Sequence, residues 1–216
     1  MLRTLIDWIL HIDAHLAALA SSHAVLVYVV LFAVIFIETG VVVLPFLPGD
    51  SLLFVAGTMA AQGIFSFPVL VPLLMLAAIL GDSINFAIGS HVRNGMADEH
   101  GIRFVKPEYL KRTHDFFDRH GRKTIVLARF VPVVRTFAPF VAALGDMPYG
   151  VFLAYNVIGG VVWVGALIGA GAVFGNLPWV AEHLTLVILG IVAVSLLPGV
   201  VGWMTGKRQE SNRTSG

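Results

Sequence analysis

Apolar residues dominate the chain in long blocks, and the polar positions fall at a few places inside or between them. From Ala24 to Gly81 the only charged residues are Glu38 and Asp50. A helix needs about 20 apolar residues to cross a bilayer, so this block is too long for one span. Residues 24–38 begin a helix, and residues 39–50 break it with Gly40, Pro45, Pro48 and Gly49. Residues 51–62 read as helical again, then Gln62-Gly63 and Pro68 mark a turn. Residues 68–92 form a long span carrying Asp82. Apolar sequence resumes at Thr124 and runs to about Ala143, interrupted by Arg129, Pro132, Arg135 and Pro139. Gly145, Asp146, Pro148 and Gly150 make a turn in which Asp146 is expected to cap. Residues 151–175 and 184–205 complete the spans.

The first 22 residues differ. Leu2, Leu5, Ile6, Ile9, Ile12 and Leu16 recur at helical spacing, while Arg3, Asp7 and His11 follow a polar line four apart. This predicts an amphipathic helix, either lying on a membrane surface or packing on the protein. Three regions result: the helix over 1–22, one membrane domain over 23–206 and a basic tail over 207–216, expected to be disordered.

Composition agrees. The 216 residues are 57% hydrophobic and 12% charged, against about 25% charged in soluble domains. The formal net charge of +1 gives a nucleic-acid role no electrostatic support. Without cysteine there is no disulfide or thiolate chemistry.

Charge also orients the spans. Arg93 to Lys123 holds eight of the fourteen Lys and Arg residues. It reads as a water-exposed loop with a short helix over 107–120, and lies inside by the positive-inside rule. With the basic tail inside too, the broken segment 124–147 enters and leaves from the inner face, and 39–62 from the outer face. This arrangement predicts an all-α membrane protein of inverted-repeat type, with two re-entrant segments facing each other at the bilayer middle. A short echo supports it: Phe46-Leu47-Pro48 with Phe54-Val55-Ala56, then Phe130-Val131-Pro132 with Phe140-Val141-Ala142.

Irregular backbone at membrane depth survives only inside protein or beside a wet cavity. Glu38, Asp50, Arg129 and Arg135 would together cost on the order of 10 kcal/mol unpaired at that depth. They must be paired, hydrated or given a ligand. Arginine forks suit a phosphate, which accepts bidentate contacts. Arg129 and Arg135 are therefore the candidate phosphate-binding residues. Glu38 and Asp50 are candidates for proton coupling or gating. Mutual neutralisation of these four as structural ion pairs is the competing reading. Asp82 either joins the cluster or serves helix packing, and Asn156 suits a helix–helix hydrogen bond. Gly165, Gly169, Gly171 and Gly175 allow close helix approach, within the chain or in a homodimer. The eight histidines fall in loops or near span ends, so neither a catalytic residue nor a metal site is indicated, and no cofactor is called for.

These residues resemble the DedA family of bacterial membrane proteins, related to the eukaryotic VTT-domain scramblases. Glu38-Thr39-Gly40 and Pro45-Phe46-Leu47-Pro48-Gly49-Asp50-Ser51 resemble its first motif. Gly81-Asp82 through Ile88-Gly89 resembles the second. Phe117, Gly121, Arg129-Phe130-Val131-Pro132 and Arg135-Thr136 resemble the third, continued by Met147, Phe152, Asn156, Gly159 and Trp163. The resemblance covers about residues 25–175. Phe86 departs from it, standing where a tyrosine is common. The resemblance implies lipid-carrier handling in the bacterial cytoplasmic membrane: movement of undecaprenyl phosphate, or of phospholipids in other members, with proton-motive-force dependence. It places functional acids and arginines on Glu38, Asp50, Arg129 and Arg135. Ser51, Thr136, Asp82 and Asn156 would stand behind them. The implied partners are a phosphate-headed lipid, protons and the membrane. A proton-coupled ion antiporter is the alternative outside lipid transport.

Overall fold

A computed structural model describes residues 24–41, 49–97, 124–129 and 131–175, with single positions between 177 and 191. The N-terminal helix, Pro45 and Pro48, the 98–123 loop, the basic tail and most of the 184–205 span lie outside the described residues. Those described form helices and turns, with no strand among them.

α1 (Ala24–Gly40) is apolar on every side, as a helix surrounded by protein and lipid must be. α2 (Gly49–Ala61) is buried along nearly its whole length. α3 (Phe67–Ala97) is long and runs through Pro72. α4 (Thr124–Ala128) is a single turn and a half, separated from α5 (Pro132–Leu144) by non-helical residues at 129 and 131. Pro132 opens α5, where a missing N–H costs nothing. Pro139 is accommodated inside α5. α6 (Tyr149–Phe174) is the second long helix. Both α3 and α6 are long and apolar enough to cross a membrane.

α3 extends past the expected end at residue 92. Arg93, read as the start of the polar loop, is still helical, and its guanidinium ties down the α5–α6 turn: it donates to Ala143 O at 3.3 Å and pairs with Asp146.

The two 13-residue helices are built alike. At the end of α2, Gly63 at φ +80 donates to Ala60 O, and Ile64 donates to Met59 O. At the end of α5, Asp146 at φ 61 donates to Ala143 O, and Met147 donates to Ala142 O. Both are Schellman closures, which need a left-handed residue just past the helix. Gly49 and Pro132, Ala61 and Leu144, Gly63 and Asp146 are each 83 residues apart. The Phe46/Phe130 echo fits this register within one residue. The Phe54/Phe140 echo is three residues out of it.

Each short helix packs chiefly on a long helix that does not directly follow it in the chain: α2 lies along α6, and α5 along α3. Small residues allow the approach. A Cβ at Gly171 would stand 1.9 Å from Phe54 O, and one at Gly57 2.2 Å from Ile168 O. Thr58 Oγ1 donates to Gly171 O at 3.0 Å. On the other side, a Cβ at Gly89 would stand 2.6 Å from Phe140 O. Of the four glycines expected to allow close approach, Gly171 and Gly175 meet α2, while Gly165 and Gly169 face more open space.

The distribution of polarity is inverted relative to a soluble protein. Glu38, Asp82, Arg129 and Arg135 are buried, while Leu76, Leu80, Ile84 and Ile88 on α3 and Val161, Val162 and Val173 on α6 are exposed. An apolar surface of this extent is suited to lipid. Phe86 stacks on Phe152 at 4.4 Å, with the Tyr149 ring at 5.6 Å.

Candidate functional site

The N-terminal ends of α2 and α5 meet, because Asp50 in the first turn of one reaches Arg135 in the first turns of the other. Arg135 Nη1 donates to Asp50 Oδ1 at 2.7 Å. Its Nη2 donates to Glu38 Oε1, at the end of α1, at 2.5 Å. The Glu38 carboxylate lies over Gly49, where a Cβ would be only 1.6 Å from Oε2. Glycine there is what admits the carboxylate to the start of α2.

Arg129, in the break before α5, has different partners. Its Nη2 donates to Asp82 Oδ2 on α3 and to Asn156 Oδ1 on α6. Asn156 Nδ2 in turn donates to Ile79 O at 3.0 Å, the helix–helix bond expected of it. Asp50 is 17% exposed at the side chain, but the other members are almost wholly shielded: 2% and 3% for Arg129 and Asp82, and 4% and 2% for Arg135 and Glu38.

The six expected charged or amide groups thus converge, in two sets. Asp82 is a full member of the cluster and is the acid that pairs with Arg129. Glu38 and Asp50 share Arg135. Ser51 and Thr136 are buried beside Asp50 and Arg135. Three carboxylates face two guanidiniums among the described residues, so the cluster carries one surplus negative charge when all are ionised. Among the described residues, Arg129 Nε and Nη1 and Arg135 Nε have no hydrogen-bond partner, and neither do Asp82 Oδ1 and Asn85 Oδ1. Buried polar atoms of this kind call for water or a ligand.

Two further residues belong here. Asn85 Nδ2 donates to Thr39 O at 3.1 Å and to Thr136 O at 2.7 Å, tying α1 and α5 across α3. Its spacing from Asp82, three residues along an apolar span, is the signal that could have found it. Trp163 Nε1 donates to Asp50 Oδ1 at 3.0 Å. Its ring centroid lies 4.5 Å from Arg135 Cζ and 5.9 Å from Arg129 Cζ. In the sequence it stood out only through the family resemblance.

Chemically, the cluster offers two permanently charged donors with unspent N–H groups, and three carboxylates able to accept protons. It can hold an anion, exchange protons, or do both.

Comparison with known proteins places the chain. Residues 47–173 match the VTT domain. Protein DedA of Escherichia coli (strain K12) is 50% identical over 206 residues, covering 94% of each chain. An uncharacterized membrane protein of Mycobacterium leprae (strain TN) is 42% identical over 178 residues, covering 82% of this chain and 80% of its own. Inner membrane protein YghB of Escherichia coli (strain K12) is 34% identical over 190 residues, covering 86% and 87%. No solved structure matches. With its charged core, lipid-suited surface and VTT-domain match, the chain belongs to the DedA family of membrane proteins.

Proposed function

We propose that this protein moves a phosphate-headed lipid across the bacterial cytoplasmic membrane. The cargo is undecaprenyl phosphate, returned from the outer to the inner leaflet at the expense of the proton motive force. The observation that carries the reading is the pair of buried guanidiniums, Arg129 and Arg135, gathered at one indole ring with N–H groups to spare.

In this reading α2 and α5 are re-entrant. At 13 residues each is about 20 Å long, short of the roughly 30 Å hydrocarbon core. They enter from opposite faces, and their N-termini, which favour anions, meet at the middle. Both chain termini are cytoplasmic. The lipid tail stays in the bilayer while the phosphate displaces carboxylates from the arginines. Each displaced carboxylate left without a cation takes a proton. The surplus of one carboxylate means that the empty cluster already needs one proton for neutrality, and each negative charge on the headgroup calls for one more. Co-movement of protons offsets the cost of bringing an anion inward, about 2.3 kcal/mol per charge per 100 mV.

The test is reconstitution in liposomes containing undecaprenyl phosphate, following its accessibility to a membrane-impermeant reagent with and without a proton gradient. Arg129→Lys keeps the charge opposite Asp82 but loses the fork, so it is the informative variant. The reading expects lipid movement by the native protein and its loss in folded Arg129→Lys. Movement of phospholipid probes instead identifies a phospholipid flippase. Proton and ion exchange with a mild Arg129→Lys phenotype identifies an antiporter.

A further inference from the structure

On α6, Asn156, Gly159, Gly160 and Trp163 recur at i, i+3, i+4 and i+7 and share one face. That face is turned to the two arginines. Asn156 Oδ1 accepts from Arg129 Nη2. A Cβ at Gly159 would stand 2.8 Å from Arg129 Cδ, and one at Gly160 3.4 Å from Arg129 Nη1, so the glycines leave room for the side chain. Trp163 completes the seat, 2% exposed, with both guanidinium carbons within 6 Å of its ring centroid.

The ring and the carboxylates hold the arginines in different ways. A carboxylate occupies guanidinium N–H groups. An aromatic face attracts the cation through its quadrupole and leaves the N–H edge available. An incoming phosphate competes with Asp82, Glu38 and Asp50 for those N–H groups but has no reason to displace the ring. Indole Nε1, already donating to Asp50 Oδ1, also gives that carboxylate a remaining donor once Arg135 turns to the ligand.

We propose that Trp163 is the positioning residue that keeps Arg129 and Arg135 converged while their carboxylate partners give way to phosphate. This rests on the phosphate-lipid reading above.

The experiment uses the full chain in nanodiscs of phosphatidylethanolamine and phosphatidylglycerol. Binding of farnesyl phosphate is measured by calorimetry for the native protein, Trp163→Phe and Trp163→Leu, with farnesol and inorganic phosphate as controls. In parallel, Trp8, Trp179 and Trp203 are replaced by phenylalanine so that emission reports Trp163 alone. The expected result is a modest loss in Trp163→Phe, about threefold, since it keeps an aromatic face but not the N–H to Asp50, and a loss of about tenfold or more in Trp163→Leu, which has neither. Trp163 emission moves on adding farnesyl phosphate and not farnesol. Native affinity in folded Trp163→Leu, equal losses in both variants, or emission unmoved by a ligand that binds, overturns the proposal. If Trp163→Leu does not fold, Trp163→Phe and the emission decide. If inorganic phosphate binds as tightly as farnesyl phosphate, the lipid part of the reading fails and the same comparison, made with inorganic phosphate, judges Trp163. If the native protein binds neither, the phosphate reading fails. Trp163 emission in Arg135→Gln then decides: a shift upholds its contact with the arginine, and no shift removes the positioning role too.

Discussion

Replacing Arg129 by glutamine should do two separable kinds of damage. It takes from Asp82, 3% exposed at the side chain, the guanidinium paired with it, and it removes a proposed phosphate ligand. Deleting one partner of a buried ion pair costs about 3–5 kcal/mol, because the remaining charge stays desolvated. In a chain of 150–250 residues each kcal/mol moves the melting temperature by about 2–4 °C, so Arg129→Gln should melt about 6–20 °C lower. Adding Asp82→Asn removes the stranded charge and leaves two amides that can bond to each other and to Asn156. Neutral replacement of a buried pair often costs little, so the double variant should recover most of the loss. Thermal unfolding of purified protein in detergent reads the first effect, and lipid movement in liposomes the second. The expected pattern is an unstable, inactive single variant and a stable, inactive double variant. An Arg129→Gln protein that melts with the native one would refute the charge pairing. A double variant that moves lipid at the native rate would show that these charges serve packing alone.

Other consequences are simpler to state. Gly171→Ala drives a methyl group into the Phe54 carbonyl, at 1.9 Å, and should abolish accumulation of folded protein; Gly169→Ala, with open space at its Cβ, should leave it unchanged, as fluorescence-detected size exclusion would show. Gly49→Ala collides with the Glu38 carboxylate, the movable end of a side chain. It should therefore fold, yet lose the proposed lipid movement, as Glu38→Gln should. Asn85→Leu removes the bonds it donates to the Thr39 and Thr136 carbonyls and should cost about 0.5–1.5 kcal/mol for each bond lost, seen as a lowered melting temperature.

Much of this molecule could be read from residue spacing, because a bilayer imposes such a narrow rule. The long apolar blocks became α1, α3 and α6; helix extends to Gly40 and begins again at Gly49, both inside the stretch read as a break, and α5 begins at Pro132. Pro72 and Pro139 did not break theirs. Glu38, Asp50, Arg129 and Arg135 stood out by the cost of putting charge in an apolar block. Their partners did not. The contacts Arg129–Asp82, Arg135–Asp50 and Arg135–Glu38 join residues 47, 85 and 97 positions apart, and which acid meets which arginine depends on helix packing that no local pattern encodes. Arg93 was misread for a related reason. Its charge suggests a loop, but a helix end beside Asp146 satisfies it equally well.

The packing of α2 on α6 also bears on how the chain is made. The hydroxyl of Thr58 is bonded to the carbonyl of Gly171, 113 residues later. At a synthesis rate of about 5–20 residues per second, α2 waits roughly 6–23 s for α6 to emerge. During that time its glycine-bearing face has nothing to close against, and the acids at its head lack Arg135. The first half of the molecule should therefore be a client while it waits, open to a chaperone or insertase that shields the acids at the head of α2. A chain cut between α3 and α4 should yield two pieces that are each degraded alone and that survive when made together.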